Sequence, residues 1–195
     1  MKKLLLCFGT RPEWLKIKPL INIMPREKYS ILFTGQHIDL IKNINIDYRI
    51  KIKNQKNRLD SIILSCLLQF PEGNFSGVLV QGDTASAYAC ALAAYNRGIK
   101  IFYLEAGLRS YDLDNPYPEE AYRQMISRIS DVNFCPTELS KENLISESVF
   151  GECYVVGNTV LDNLASFKDC EEYSNIVLVT MHRRENHSTM KDWFK

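Results

Sequence analysis

Residues 78–84 are Val-Leu-Val-Gln-Gly-Asp-Thr, and residues 101–107 are Ile-Phe-Tyr-Leu-Glu-Ala-Gly. Each stretch is an apolar run that ends in an acid beside a glycine, which is typical of a buried parallel strand with the acid in the loop after its C-terminal end. The alanine-rich stretch 86–97 between them favours a helix. The pattern places Asp83 and Glu105 side by side at one rim of the sheet. Ligands of open α/β sheets bind at that rim.

A third acid follows in the proline-rich stretch 115–123, Asn-Pro-Tyr-Pro-Glu-Glu-Ala-Tyr-Arg. This loop can fold Glu119 back over Asp83 and Glu105, so that three carboxylates face one crevice. Each acid alone is equally compatible with a helix cap or an ion pair. Their shared position after strand ends favours acid/base chemistry.

Strands and helices alternate along the chain, which predicts an α/β fold with a doubly wound, mostly parallel, Rossmann-like sheet. Further strands are predicted at 4–8, 29–34, 132–135, 154–156 and 175–180, and helices at 14–24, 59–70, 120–130, 137–147 and 157–167. A segment with period two, 44–52, predicts one more short and half-exposed strand.

The elements divide into an N-terminal domain at 1–167, a polar linker at 168–174 and the beginning of a second domain at 175–195. The last predicted strand has no further strands of its own sheet after it. Such a strand must pair with an edge or with another chain, and an exposed apolar edge would favour a homodimer.

Two basic residues lie in and just after the turn that follows the first strand, Gly9-Thr-Arg-Pro-Glu13. Thr10 suits the N-cap of the next helix and Pro12 suits its first turn. Arg11 then lies at a helix N-terminus, where phosphate binds readily, and Lys16 is one turn further on. A solvated helix face explains these two side chains equally well.

The composition excludes several classes of protein. A net charge of +1 over 195 residues gives no reason to expect nucleic acid or an anionic membrane as a partner. No glycine motif for a dinucleotide or a P-loop is present, and the three histidines are not spaced as metal ligands, so we expect neither a cofactor nor a metal. The six cysteines form no C-x-x-C pair and lie mostly inside apolar runs, which favours a reducing, cytoplasmic compartment.

Six motifs, in order, resemble the UDP-N-acetylglucosamine 2-epimerase family. They are Gly9-Thr-Arg-Pro-Glu13 with Lys16, Thr34-Gly-Gln-His37, Gly82-Asp-Thr84, Glu105-Ala-Gly-Leu-Arg109, Pro118-Glu-Glu120 with Arg123, and Val179-Thr-Met-His-Arg-Arg-Glu-Asn186. The resemblance implies one half of a GT-B-like two-domain architecture, with a UDP-sugar bound between two Rossmann-like halves. It also implies that this chain, which is much shorter than its relatives, turns over little substrate alone.

The resemblance also implies a reaction. The family eliminates UDP from a UDP-HexNAc to give a 2-acetamidoglucal and adds it back on the other face, for polysaccharide biosynthesis. Asp83, Glu105 and Glu119 would share the proton transfers at C2 and the stabilisation of the cationic ring, while His182 would assist the departing diphosphate. The substrate-binding residues implied by the motifs are Arg11, Lys16, Gln36, Arg109, Arg123 and Arg183.

Three alternatives stay open. One is a hydrolysing 2-epimerase that releases UDP and N-acetylmannosamine, and another is a 2-epimerase of a different UDP-HexNAc, such as a 6-deoxy sugar. Tyr103 and Tyr122, which stand where the family usually has His and Asn, are the residues to test for the latter. The third is a non-catalytic, truncated binding domain.

Overall fold

A computed structural model describes residues 2–37, 44–164, 175–177 and 179. Within these residues, seven strands form one parallel sheet in the order β3-β2-β1-β4-β5-β6-β7. The strands are β1 (Lys3–Phe8), β2 (Tyr29–Phe33), β3 (Tyr48–Arg49), β4 (Phe75–Gln81), β5 (Ile101–Leu104), β6 (Val132–Cys135) and β7 (Glu152–Val155). The helices are α1 (Arg11–Ile23), α2 (Arg58–Gln69), α3 (Ala85–Tyr95), α4 (Glu119–Ile129) and α5 (Glu138–Ser146), with short 3-10 helices at Arg26–Lys28 and Thr159–Asn163.

The strand order confirms the doubly wound, Rossmann-like prediction. From β1 the chain proceeds to β2 and β3 on one side, then returns to β4 on the other side and continues to β7. The order therefore reverses between β1 and β4, and open α/β sheets bind ligands at the carboxyl ends of the strands at such a switch point.

Apolar layers cover both faces of the sheet, which is why its strands are nearly continuous apolar runs. One face carries Leu5 and Val80 in a core shared with α2 and α3, and the other carries Phe8 and Phe33 in a core shared with α1. Rigid packing on both faces fixes the loops at the carboxyl edge.

Two predicted elements differ from the structure. Only Tyr48 and Arg49 of the predicted strand 44–52 pair with β2. The alternation there instead reflects Ile44 and Ile46, which pack on the core beside α1 without joining the sheet.

The predicted helix 157–167 is a 3-10 helix at Thr159–Asn163, and residues 165–167 lie outside the described residues. Two side-chain hydrogen bonds join this 3-10 helix to α1. Thr159 Oγ1 donates to the carbonyl of Lys16 at 2.7 Å, and Asn163 Nδ2 donates to that of Leu15 at 2.6 Å.

The chain divides into two compact units, Met1–Ala165 and Ser166–Lys195. Of the predicted strand 175–180, residues 175–177 and 179 are described and are not in a strand, and residues 178 and 180 lie outside the described residues. The linker 168–174 and most of the segment 175–195 lie outside the described residues, so those domain boundaries stay predictions. No helix among the described residues is long and apolar enough to cross a membrane.

Candidate active site

A buried carboxylate organises the turn between β1 and α1. Glu13 is 2% exposed, and its Oε2 accepts hydrogen bonds from the backbone N–H groups of Gly9 at 2.8 Å and Thr10 at 2.6 Å. Thr10 is the N-cap of α1, as predicted, and Glu13 completes a capping box with it. Burial raises the pKa of Glu13, while the hydrogen bonds from Thr84, Gly9 and Thr10 oppose that rise.

The same carboxylate also reaches the loop after β4. Thr84 Oγ1 donates to Glu13 Oε1 at 2.5 Å and accepts from the N–H of Ala87 at 3.1 Å, which makes Thr84 the N-cap of α3. Glu13 therefore joins the starts of α1 and α3 across the switch point. Asp83, the residue before Thr84, is held at this edge.

Glu105 follows β5 and lies beside the same loop. A Cβ built on Gly82 would be 3.8 Å from Glu105 Oε2, so the carboxylate extends over the end of β4. Oε2 accepts from Lys16 Nζ at 2.5 Å and from Gln81 Nε2 at 2.5 Å. Glu105 also has a φ of +68°, a conformation that non-glycine residues keep only where their surroundings enforce it.

Arg123 of α4 binds two acids at once. Its Nη1 donates to Asp83 Oδ2 at 2.8 Å, and its Nη2 donates to Glu120 Oε2 at 2.7 Å. Burial raises the pKa of Glu120, but hydrogen bonds from Gln124, the Ser110 N–H and Arg123 outweigh it and lower the pKa to about 2. Glu120 is therefore a permanent anion that holds Arg123 against Asp83.

Glu119 is the first residue of α4 and differs from its neighbour. Its Oε2 is buried and has no hydrogen-bond partner among the described residues. Buried carboxylate oxygens without a donor are rare in folded proteins and often mark a position where a ligand or water binds. Glu119 and Arg123 lie on the same helix, four residues apart. Arg123 binds Asp83, so the ion pair ties α4 to the loop after β4.

The remaining predicted residues occupy different places. Arg11 is exposed and makes no ion pair with any described residue, and Gln36 Oε1 accepts from Ser86 Oγ at 2.6 Å. The structure does not bring the guanidinium of Arg109 into contact with the three carboxylates, since it is buried and binds Glu147 at 2.7 Å. His182 and Arg183 lie outside the described residues. The catalytic and binding roles of all these residues stay predictions.

Sequence reasoning missed Gln81 and Glu120 as members of this edge. Gln81 is a polar residue at the end of an apolar strand and is 2% exposed. A buried amide at the last position of a strand needs a partner, and that was the available signal. Glu120 gave no separate signal, because it stands next to Glu119 in one motif.

The two tyrosines that depart from the family pattern are buried. Tyr103 is fully buried, and its hydroxyl has no partner among the described residues. Burial raises the pKa of Tyr103, and the nearby carboxylate of Asp83 raises it further. Tyr122 stacks on Tyr88, with ring centroids 5.0 Å apart and planes at 10°. Within the described part of the chain, no group of His, Cys, Asp and Glu side chains is placed to hold a metal ion.

A sequence model described as UDP-N-acetylglucosamine 2-epimerase matches residues 23–195. The chain belongs to this family. It is 36% identical to the UDP-N-acetylglucosamine 2-epimerase of Salmonella borreze over 97% of this chain and 59% of that protein. It is 38% identical to that of Campylobacter jejuni over 95% of this chain and 58% of that protein.

Solved structures of family members have the same fold. The enzyme of Neisseria meningitidis bound to UDP-GlcNAc matches with a TM-score of 0.77 and 36% identity, over 84% of this chain and 48% of that one. The enzyme of Methanocaldococcus jannaschii in complex with UDP-GlcNAc and UDP matches with a TM-score of 0.73 and 31% identity, over 83% and 48%. The chain thus spans a little over half the length of the curated relatives it matches, in agreement with one half of a GT-B-like architecture.

Proposed function

We propose that the chain supplies one half of a UDP-N-acetylglucosamine 2-epimerase, an isomerase that inverts C2 of a UDP-HexNAc by eliminating UDP and adding it back. The observation that supports this most directly is the placement of Asp83 and Glu105 at the ends of neighbouring strands, with Lys16 Nζ 2.5 Å from Glu105. Carboxylates for proton transfer and a cation for a departing diphosphate are thus adjacent at a switch point.

This arrangement suits the chemistry because no carbonyl acidifies the C2 proton of a UDP-HexNAc. The bond to UDP must therefore weaken as the proton leaves, through a cationic, oxocarbenium-like ring. Negative charge at the rim stabilises that ring, and fixed cations stabilise the developing diphosphate. Both kinds of charge are present at the edge formed by the loops after β1, β4 and β5.

We assign the proton transfers to Asp83, Glu105 and Glu119. Arg123 orients Asp83 by a 2.8 Å ion pair, and Gln81 orients Glu105. Glu119 Oε2, which has no hydrogen-bond partner within the described part of the chain, is placed to accept a bond from substrate. Arg11, Lys16, Gln36 and Arg183 are the proposed substrate-binding groups, and His182 is the proposed catalytic group that assists the departing diphosphate. The roles of His182 and Arg183 rest on their motif alone. Arg109 we place apart, as a support of the loop after β5, because Glu147 already occupies its guanidinium.

UDP-GlcNAc is the proposed substrate, because relatives of this chain were solved with that compound. Tyr103 and Tyr122 are 0% and 6% exposed, so neither gives a reason to prefer a 6-deoxy sugar.

The five described cysteines are free thiols, as expected of the cytoplasm, where UDP-sugars for polysaccharide biosynthesis would be supplied. A homodimer is proposed as the working assembly and is tested by light scattering.

The deciding experiment follows the C2 proton. The chain, and a version extended by the second half of the Neisseria meningitidis relative, are incubated with UDP-GlcNAc in D₂O. We expect deuterium at C2 only in the extended protein, with UDP-ManNAc as the product. Deuterium incorporation by neither protein overturns the proposed function, whereas accumulation of free UDP and N-acetylmannosamine identifies the hydrolysing reaction.

The isolated chain serves as the control for the requirement of two halves. Because the chain spans a little over half the length of the curated relatives it matches, we expect its turnover to be far below rates typical of enzymes. Turnover by the isolated chain at about 1 per second or more contradicts that requirement.

A further inference from the structure

Lys16 has one anionic partner in the structure, Glu105, and a second in the proposed reaction, the diphosphate of the substrate. Its Nζ lies 2.5 Å from Glu105 Oε2, and the two side chains are 21% and 15% exposed. The proposed reaction uses Glu105 for proton transfer and Lys16 for the diphosphate. Glu105 Oε2 already accepts two hydrogen bonds, from Lys16 and from Gln81, so this oxygen has no free lone pair for a substrate proton while Lys16 stays in place.

We propose that a bound diphosphate takes Lys16 away from Glu105, so that the carboxylate is released for proton transfer only when substrate is present. The inference rests on the proposed function and assigns Lys16 a second role as the residue that couples binding to chemistry. Without substrate, the ion pair keeps Glu105 occupied.

The surroundings of Lys16 permit this exchange of partners. Its backbone is fixed, since Thr159 Oγ1 donates to its carbonyl at 2.7 Å. Its side chain borders a small crevice, which is lined by Lys16, Leu104, Glu105, Pro136, Gly157, Asn158 and Thr159. A Cβ added at Gly157 would meet no atom of the described residues within 4 Å, so the backbone there is not covered by them. The side chains of Lys16 and Glu105 are both partly exposed, so an anion that arrives from solvent can contact Lys16 Nζ.

Glu105 stays in place when Lys16 leaves. Gln81 Nε2 donates to the same oxygen at 2.5 Å, and Gln81 is itself buried in β4. The carboxylate thus keeps one neutral donor and its position, and loses only the cation. A diphosphate carries more negative charge than one carboxylate, so it attracts the ammonium more strongly at equal distance.

The test is a double-mutant cycle on UDP binding by this chain, measured by calorimetry. Glu105→Gln removes the competitor for Lys16, so UDP and inorganic pyrophosphate should bind about 5-fold tighter or more. In the Lys16→Met background the same change should give no such gain. Asp83→Asn is the matched control, because it removes one negative charge from the same rim but its partner is Arg123. Its effect on binding should be the same in the wild-type and Lys16→Met backgrounds.

Thermal unfolding checks that each variant is folded. A second measurement uses the unmutated chain, so that its result does not depend on a substitution at Glu105. In the unmutated chain with ¹³C-labelled glutamate carboxyl groups, the Glu105 signal should shift when pyrophosphate is added. The inference is overturned if Glu105→Gln does not raise the affinity for UDP, or if it raises that affinity equally in the wild-type and Lys16→Met backgrounds. A ¹³C signal of Glu105 that stays unchanged on addition of pyrophosphate also overturns it. Absence of UDP binding by the wild-type chain also overturns it. The proposed function is judged separately, by C2 deuterium in the extended protein.

Discussion

Arg123 Nη1 lies 2.8 Å from Asp83 Oδ2, while Nε and Nη2 of the same guanidinium donate to Glu120 Oε2 at 3.0 and 2.7 Å. One arginine therefore fixes a candidate catalytic acid through a second, buried acid. The Glu120 side chain is fully buried and that of Arg123 is 11% exposed, so these charges are poorly screened by water.

Removal of Arg123 should be costly for this reason. Arg123→Met leaves a buried Glu120 anion without its cation, and we expect the free energy of unfolding to fall by about 3–5 kcal/mol in urea titrations. Arg26→Met is the control, since it breaks the more exposed pair with Asp47 and should cost about 1 kcal/mol or less. Equal losses in the two variants would contradict the buried role of Arg123.

The lowered pKa of Glu120 predicts a loss of stability in acid. Its pKa falls from an ordinary value of 4.5 to about 2 in the folded chain. As the pH drops below 4.5, the unfolded chain takes up a proton that the folded chain does not, so stability falls until the folded group also protonates near pH 2. Glu120→Gln should lack this component. The difference in unfolding free energy between wild type and Glu120→Gln, measured from pH 5 down to about 2, should shrink with decreasing pH, and a constant difference would refute the assignment.

The positions of Asp83 and Glu105 were predictable because their signals are local. An apolar run, a glycine and an acid determine both the strand and the edge at which the acid lies. The signal for Thr10 as the N-cap of α1 is local in the same way. These signals placed the parallel sheet and its carboxyl edge correctly.

Contacts between distant residues were not predictable. Lys16 and Glu105 are 89 positions apart, and their contact depends on how α1 packs against the sheet. Glu119 and Glu120 differ by one position, and neighbouring helical residues point in different directions. Which of them faces inward depends on where α4 begins, and the structure begins it one residue before the prediction.

Glu13→Gln tests the hydrogen bonds by which Glu13 connects the turn after β1 to the loop after β4. One oxygen of Glu13 accepts from Gly9, Thr10 and the Thr10 hydroxyl, and the other accepts from Thr84. An amide nitrogen in either place would face donors, so we expect a loss of about 1–3 kcal/mol in unfolding free energy at pH 7. Because burial raises the pKa of Glu13, its contribution is full below 4.5 and declines as the pH rises through the raised value. The cost of Glu13→Gln should therefore be larger at pH 4 than at pH 7, and the opposite order would contradict this.

Tyr103→Phe should stabilise the chain. The Tyr103 hydroxyl is buried without a partner among the described residues, and its removal deletes an unmet polar group while leaving the ring in the core. We expect the free energy of unfolding to rise by about 1 kcal/mol, seen as a higher Tm. A lower Tm would mean that the hydroxyl has a partner in solution.

Gly9→Ala tests whether close packing at the switch point supports the site. A Cβ on Gly9 would lie 2.2 Å from both Ser86 Oγ and Thr34 Oγ1, which are hydrogen-bonded to each other at 2.6 Å. Ser86 Oγ also donates to Gln36, so the methyl group would displace the start of α3 beside Asp83. We expect a loss of about 1–3 kcal/mol in stability together with weaker UDP binding. Gly98→Ala is the control, because it has a φ of +63° but open space, and it lies at the far end of α3. Gly98→Ala should lose stability through backbone strain but bind UDP as wild type does. If Gly9→Ala binds UDP as tightly as Gly98→Ala does, the turn after β1 tolerates the displacement.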